Sequence, residues 1–199
     1  MSTSPALCLA STSPRRREIL IALGLEFSVQ STEVEEQRLE DEPPEDMVLR
    51  LARAKIDAVD TEPGTIVLGA DAAVVLGETV LGKPLDCDDA IGMLLRLSGR
   101  THRVVTGVAL RDGDCVRTAL SDTNVGFREI GRDEALRYWQ SGEPCDKAGA
   151  YAIQGLGGVF VQSIAGSYSG VVGLPVFETA KLLRDAGIGI LMKQSPNDG

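Results

Sequence analysis

The sequence changes from strand to helix in the stretch Leu7-Cys8-Leu9-Ala10-Ser11-Thr12-Ser13-Pro14-Arg15-Arg16-Arg17. The apolar run at its start is typical of a buried strand. Ser13 then stands where a helix N-cap is expected, Pro14 suits the first helical position, and Gly24 marks the end of a helix over residues 14–23. A buried strand that leads directly into a helix predicts an α/β protein.

The first turn of this predicted helix contains three consecutive arginines, Arg15 to Arg17. The helix dipole places partial positive charge at this end, so each cation costs roughly a few tenths of a kcal/mol there. A bound anion would turn this unfavourable energy into a favourable one. Free backbone N–H groups, the Ser11 hydroxyl and guanidinium groups together suit a phosphate. The alternative is a solvated turn whose arginines point into water.

The rest of the chain also alternates between strand and helix patterns. Strands are predicted over residues 26–29, 65–76 (as two apolar runs), 103–110, 115–127 and 159–164. Helices are predicted over residues 45–59, from the cap Asp86 to Leu97, and over 133–140 and 175–186. Asp112-Gly113 favours a hairpin, so we expect a mixed sheet flanked by helices.

Length and charge limit the possible classes of protein. A chain of 199 residues with 43% hydrophobic residues suits one domain over residues 1–199, or two small lobes that share a core, with residues 187–199 as a tail. The net charge of −9 disfavours nucleic-acid polymers and anionic membranes as partners. No apolar run is long enough to span a bilayer.

Cysteine and histidine usage predicts a protein of the cytoplasm without structural zinc. The four cysteines form no CxxC pair, and the single histidine, His102, has no cysteine near it in sequence. With no secretory signal recognised, we expect free thiols in a reducing cytoplasm. A lone histidine in an apolar strand is more often structural than catalytic.

Two charged residues interrupt apolar patterns. Lys55 lies on the apolar face of its predicted helix, where its stem either covers that face or carries the ammonium group into a cleft. Asp71 follows Gly69 and Ala70 within a very apolar segment, and a carboxylate there needs a cation, a metal or a cavity. The small residues before Asp71 predict room for a ligand. A structural capping aspartate is the alternative.

Further polar residues extend this pattern. Lys83 occupies a turn before Pro84 that is not a P-loop, and Gln154 offers an amide that could contact the edge of a base. An acidic run that includes Glu35 and Glu36 is either a solvated surface or the source of a second carboxylate for a hard metal ion. No serine lies in a nucleophile elbow, so cations, hydroxyls and carboxylates together favour phosphoryl chemistry.

Several motifs occur in order along the chain: Ser11-Thr12-Ser13-Pro14-Arg15-Arg16, Gly69-Ala70-Asp71, Gly82-Lys83-Pro84, Asp146-Lys147-Ala148-Gly149-Ala150-Tyr151, and Gly166-Ser167-Tyr168 through Leu174-Pro175. Together they closely resemble the Maf family of nucleoside triphosphate pyrophosphatases over about residues 7–186. Arg15 and the Ile-Gln-Gly segment around Gln154 make the chain most similar to the branch that acts on dTTP and UTP.

The resemblance implies an elongated α/β fold with two lobes around a cleft, similar to inosine triphosphate pyrophosphatases. It implies hydrolysis of dTTP and UTP between the α- and β-phosphates to nucleoside monophosphate and pyrophosphate. It also implies a divalent cation, Mg²⁺ or Mn²⁺, and a homodimer. A nucleotide-binding regulator of cell division without turnover shares these motifs, and a phosphosugar-binding enzyme would share the anion site alone.

The resemblance also assigns residues. Asp71 corresponds to the family's proton acceptor and, with Glu35, is expected to hold the metal. The specificity positions are Arg15, Ala72 and Gln154, and the polar cleft positions are Ser11, Arg16, Glu35, Lys55 and Lys83. The dTTP/UTP branch usually has threonine where Ala72 stands, so one possible hydrogen bond of about 1 kcal/mol is lost. The base preference, and whether modified nucleotides are the true substrates, therefore stay open.

Overall fold

A computed structural model describes residues 5–191 and centres on a seven-stranded mixed sheet. The strands are β1 (Leu7–Ala10), β2 (Ser28–Gln30), β3 (Ile66–Leu76), β4 (Thr79–Leu81), β5 (Thr101–Asp112), β6 (Cys115–Phe127) and β7 (Val161–Ala165). Their order is β2-β1-β3-β5-β6-β7, and β4 pairs with β3. β1 runs parallel to both of its neighbours, whereas the other pairs are antiparallel. The predicted α/β class with a mixed sheet is confirmed.

Helices cover both faces of this sheet. They are α1 (Pro14–Ala22), α2 (Pro44–Asp57), α3 (Cys87–Leu97), α4 (Arg132–Gln140), α5 (Tyr168–Val172) and α6 (Val176–Asp185). On one face α2 buries Val48 and Leu51 against Ala73 of β3. On the other face α1 and α6 pack Leu20 and Leu183 against the sheet. None of the helices among residues 5–191 has the length and apolar character needed to cross a membrane.

Strand β3 has a free stretch of edge in its middle. Its register with β1 ends at the pair Leu9–Leu68, and its register with β4 begins at the pair Leu81–Val74. Because β1 ends at Ala10, the chain leaves the sheet there and starts α1 at Pro14. The carboxyl end of a parallel strand and the start of the following helix thus border the gap, which is where α/β proteins commonly bind ligands.

Several element boundaries differ from the predicted ones. The 65–76 segment forms one continuous strand, and β2 begins at Ser28 because Phe27 before it packs on the core instead of joining the ladder. The last strand begins at Val161, since the glycine-rich Leu156–Phe160 segment forms a 3₁₀ turn that buries Phe160. The short elements β4 and α5 were not predicted.

The start of α1 requires a further correction. Ser13 does occupy the N-cap position, but its side chain makes no capping hydrogen bond. Instead, the Ser13 backbone N–H donates to Ser11 Oγ at 3.1 Å. The predicted tail begins after α6 and can be followed to Leu191, whereas residues 192–199 lie outside the described part of the chain.

Candidate active site

A cleft of about 520 Å³ opens beside the free edge of β3. The predicted residues that line it are Ser11, Arg15, Arg16, Lys55, Asp71, Ala72, Lys83 and Gln154. Segments far apart in sequence therefore meet at one place, as the phosphate-site hypothesis requires. Lining residues to which the sequence had assigned no role include Lys147, Asp146 and Tyr151, although all three belong to a quoted motif.

The acidic run contributes Glu36 to the cleft lining, and not the expected Glu35. Glu36 Oε1 lies 2.7 Å from Lys55 Nζ, and its Oε2 lies 3.7 Å from Lys83 Nζ. The segment that carries both glutamates has no regular secondary structure. Without a helical or strand period, sequence spacing gives no direction for either side chain, so the two neighbours could not be told apart.

Lys55 forms the centre of the charged network. Its Nζ lies 2.6 Å from Asp71 Oδ1 as well as 2.7 Å from Glu36 Oε1. The side chain of Lys55 is only 8% exposed and that of Asp71 11% exposed, whereas Glu36 is half-exposed. The ammonium group thus reaches the cleft instead of extending to solvent, and it joins two carboxylates that both face the cavity.

Two glycines allow α2 to bring Lys55 this close to the sheet. A Cβ on Gly69 would lie 2.8 Å from Ile56 Cγ2, and a Cβ on Gly107 would lie 2.7 Å from the Val48 carbonyl oxygen. Gly107 pairs directly across the sheet from Asp71. The expectation that Gly69 leaves room for a ligand is therefore wrong, because the helix backbone occupies that room.

Burial and charge act on Asp71 in opposite directions. Burial is the larger influence and raises the pKa of Asp71 above its ordinary value, although Lys55 and Arg16 oppose this rise. For Glu36, partial burial also favours the neutral form, but the hydrogen bond and charge of Lys55 outweigh it and lower the pKa. The two pKa shifts thus have opposite directions, and the raised pKa of Asp71 suits a proton acceptor.

Arg16 is held rigidly at the edge of the cleft. Its Nε donates to the Gly173 carbonyl at 2.9 Å, and its Nη1 donates to Ser11 Oγ at 3.3 Å. Burial lowers the pKa of Arg16, although an arginine side chain stays protonated in proteins. Among the described residues it forms no ion pair with a carboxylate. A half-buried, fixed and unpaired guanidinium group is a strong candidate for binding an anion.

The balance of charge in the cleft is opposite to that of the chain. Five basic residues line it against three acidic ones: Arg15, Arg16, Lys55, Lys83 and Lys147 against Glu36, Asp71 and Asp146. The whole chain, by contrast, carries a net charge of −9. A positive cleft in an acidic protein concentrates anionic ligands at that place alone.

A divalent cation suits two of these carboxylates. No group of three or more His, Cys, Asp and Glu side chains is placed to hold a metal within residues 5–191. Mg²⁺, however, is usually held by one or two carboxylates together with phosphate oxygens of the substrate. Asp71 and Glu36, which both contact Lys55, are the carboxylates that could hold such a cation together with a triphosphate.

His102 lies behind the cleft. Its Nε2 is 2.8 Å from Tyr151 Oη, and burial lowers the pKa of His102 to about 4. The imidazole is therefore neutral at physiological pH, and it supports a tyrosine that lines the cavity. This placement agrees with the structural role expected from the sequence.

The chain is similar to known proteins over most of its length. A family model described as Maf-like protein matches residues 6–186. A Hahella chejuensis protein named dTTP/UTP pyrophosphatase is 50% identical over 188 residues, covering 92% of this chain and 94% of the relative. A protein of the same name from Anaeromyxobacter dehalogenans strain 2CP-C is 52% identical over 195 residues, covering 96% and 99%.

Among solved structures, a nucleoside-triphosphatase/dITP/XTP pyrophosphatase from Mycobacterium abscessus matches at a TM-score of 0.41 and 17% identity. The match covers 63% of this chain and 75% of that one. The family match over residues 6–186 and the sequence relatives agree with the motifs that line the cleft. The chain belongs to the Maf-like protein family.

Proposed function

We propose that this protein hydrolyses nucleoside triphosphates, with dTTP and UTP as substrates, between the α- and β-phosphates. Water and the triphosphate give nucleoside monophosphate and pyrophosphate. The observation that carries the proposal is the convergence of five cationic residues beside buried Asp71, in a chain of net charge −9. The names of the two relatives support the same reaction and the same bases.

The cations bind and neutralise the triphosphate. Arg16 already uses two of its donor atoms on Gly173 and Ser11, which fixes its plane and leaves its other N–H groups for phosphate oxygens. Arg15 and Lys83 line the same cleft, and Lys83 is exposed enough to move toward a substrate. Positioning and charge neutralisation supply most of the rate enhancement in phosphoryl transfer.

Asp71 accepts a proton from the attacking water. The new bond joins the water oxygen to phosphorus, and the bridging oxygen between the α- and β-phosphates leaves with its electron pair. Lys55 orients the Asp71 carboxylate through the 2.6 Å contact, while burial keeps Asp71 more basic than an exposed aspartate. A divalent cation held by Asp71 and Glu36, replacing the expected Glu35, would neutralise charge on the phosphate oxygens.

Gln154 contacts the pyrimidine in this proposal. It lines the cleft on an exposed loop, and its amide can both donate and accept a hydrogen bond. Ala72 lines the same cleft, on the sheet face opposite to Asp71, where the related branch usually has threonine. In this proposal the base preference depends on the Gln154 amide. The threonine hydroxyl of the related branch is missing at Ala72.

Pyrophosphate release from a panel of nucleotides tests the proposal. The panel contains dTTP, UTP, CTP, dATP, GTP and modified pyrimidine triphosphates, each with Mg²⁺ or Mn²⁺. We expect equal amounts of monophosphate and pyrophosphate from dTTP and UTP. Asp71→Asn should lower the rate by about 10²–10⁴, the usual contribution of general acid–base catalysis, whereas the exposed control Asp185→Asn should not.

Three results would contradict the proposal. A loss of less than about tenfold in Asp71→Asn would remove Asp71 from the proton-accepting role. Release of orthophosphate instead of pyrophosphate would place cleavage at the wrong bond. Nucleotide binding without turnover under any metal would favour the regulator of cell division.

We further propose that the protein is a homodimer of the cytoplasm. Light scattering coupled to gel filtration measures the first property, and fractionation of cells measures the second. A monomeric mass at micromolar concentration, or recovery outside the cytoplasmic fraction, would contradict the respective part.

A further inference from the structure

A hydrogen-bond network underlies the loop that carries Gln154. The Glu143 carboxylate accepts hydrogen bonds from the Leu156 backbone N–H at 2.9 Å and from the Gly157 backbone N–H at 2.8 Å. It also accepts one from Tyr138 Oη at 2.7 Å. Tyr138 Oη in turn accepts a hydrogen bond from the Ala152 backbone N–H at 3.1 Å. We call this pair of side chains the Tyr138–Glu143 clamp.

The clamp fixes the chain on both sides of Gln154. Tyr138 binds the backbone of residue 152, and Glu143 binds the backbone of residues 156 and 157. The clamp therefore restrains the position of the loop between these attachments. The Gln154 side chain itself forms no hydrogen bond with the rest of residues 5–191. The backbone at residue 154 therefore sets the point from which this side chain reaches into the cleft.

Gly155 shows how tightly the loop follows the carboxylate. Its φ of 146° is a conformation that side-chain-bearing residues rarely adopt, and a Cβ at this position would collide with Glu143 Oε2. The backbone beside Gln154 thus lies directly against the carboxylate. A displacement of the Glu143 carboxylate would therefore displace the backbone next to Gln154.

The clamp is itself rigid. Tyr138 is buried, and its ring packs edge-on against Phe160 at a centroid distance of 5.0 Å. Burial raises the pKa of Tyr138, so the phenol stays protonated and donates to Glu143. Although partial burial opposes ionisation of Glu143, the Gly157 N–H, Tyr138 and the Leu156 N–H lower its pKa. Neither side chain lines the cleft.

We propose that the Tyr138–Glu143 clamp sets base selectivity by positioning Gln154. This inference rests on the proposed function for the nature of the ligand. Tyr138 and Glu143 are positioning residues that do not line the cleft, so Arg16, Lys83 and Asp71 should work normally without them. The expected consequence is a change in which base is preferred, with little change in kcat.

The test compares Tyr138→Phe and Glu143→Gln with the wild type. Tyr138→Phe keeps the ring against Phe160 and removes only the hydroxyl, and Glu143→Gln keeps the shape and removes the charge. Calorimetric binding of non-hydrolysable α,β-methylene UTP and CTP gives selectivity whether or not the protein turns nucleotides over. We expect the UTP-to-CTP ratio to fall by about fivefold or more, a typical consequence of losing such hydrogen bonds.

A double-mutant cycle separates positioning from general support of the fold. In a Gln154→Ala background, the clamp variants should change the selectivity ratio by less than about twofold, since the group they position is gone. Glu129 is an exposed residue just before α4, the helix that carries Tyr138. Glu129→Gln is the matched control and should leave selectivity unchanged. Thermal unfolding of each variant identifies any that fails to fold, in which case the other clamp variant decides.

Two results would overturn the inference. One is unchanged selectivity in a folded Tyr138→Phe or Glu143→Gln protein. The other is a fall of the same size with and without Gln154, which would indicate a general structural effect. By contrast, selective binding of UTP by wild-type protein that releases no pyrophosphate would contradict the proposed reaction but not the role of the clamp. Protein that binds neither analogue would remove both.

Discussion

Replacing Lys55 by methionine removes the cation that joins Asp71 to Glu36. Methionine fills a similar volume, so the main change is the loss of the 2.6 Å and 2.7 Å contacts made by the ammonium group. Lys55 and Asp71 are both buried, and removing one member of a buried ion pair typically costs about 3–5 kcal/mol. We expect a loss of this size in the free energy of unfolding at pH 8.

The loss should depend on pH. Without Lys55 the pKa of Asp71 should rise further, because burial still acts and the largest opposing charge is gone. A carboxyl group with a raised pKa in the folded state stabilises the fold below its unfolded pKa, and this contribution disappears as the pH rises through the folded pKa. The penalty of Lys55→Met should therefore be small near pH 4 and largest at alkaline pH.

Urea unfolding between pH 4 and pH 9 measures this prediction, and Arg53→Met, an exposed residue on the same helix, is the control. In the pyrophosphatase assay, the acid limb of the kcat profile should also move to higher pH, because a more basic Asp71 loses its proton later. A penalty below about 1 kcal/mol at pH 8, the usual value for an exposed pair, would refute the buried network.

Four other substitutions test separate parts of the site and its surroundings. Glu36→Gln should raise the Mg²⁺ concentration for half-maximal activity by about tenfold or more, whereas Glu35→Gln should leave it unchanged; the reverse order would restore Glu35 as the second carboxylate. Ala72→Thr should raise kcat/KM for dTTP and UTP by about two- to tenfold if the hydroxyl contacts the substrate, and an unchanged value would show that it does not. Burial lowers the pKa of His102 to about 4, so the wild type should lose up to about 3 kcal/mol of stability as the pH falls from 6.5 toward 4. His102→Gln should remove this dependence, and an equally steep profile in the variant would contradict it.

Local patterns predicted the elements that border the cleft. The run from Leu7 to Ser13 showed where β1 ends and α1 begins, because a strand, an N-cap position and a proline each have a local signature. Asp71 was conspicuous for a similar reason, since an isolated carboxylate in an apolar segment needs a partner. Both features can be recognised in the sequence without knowledge of the tertiary structure.

Tertiary packing determined what the sequence left open. Lys55 was ambiguous because only the close approach of α2, permitted by Gly69 and Gly107, decides that its ammonium group faces the cleft. Glu36 could not be chosen over Glu35 in a loop without a repeating geometry. The Tyr138–Glu143 clamp was also invisible, because its bonds connect a helix to backbone groups of a separate loop.

The central claim is that the scattered cations bind a triphosphate beside Asp71. A crystal structure with α,β-methylene UTP and Mg²⁺ tests it most directly. We predict phosphate oxygens in contact with Arg16 and Lys83, the α-phosphate next to Asp71, and the uracil edge at Gln154. Phosphates bound outside the cleft, or an Asp71 carboxylate still shielded from them by Lys55, would contradict the claim.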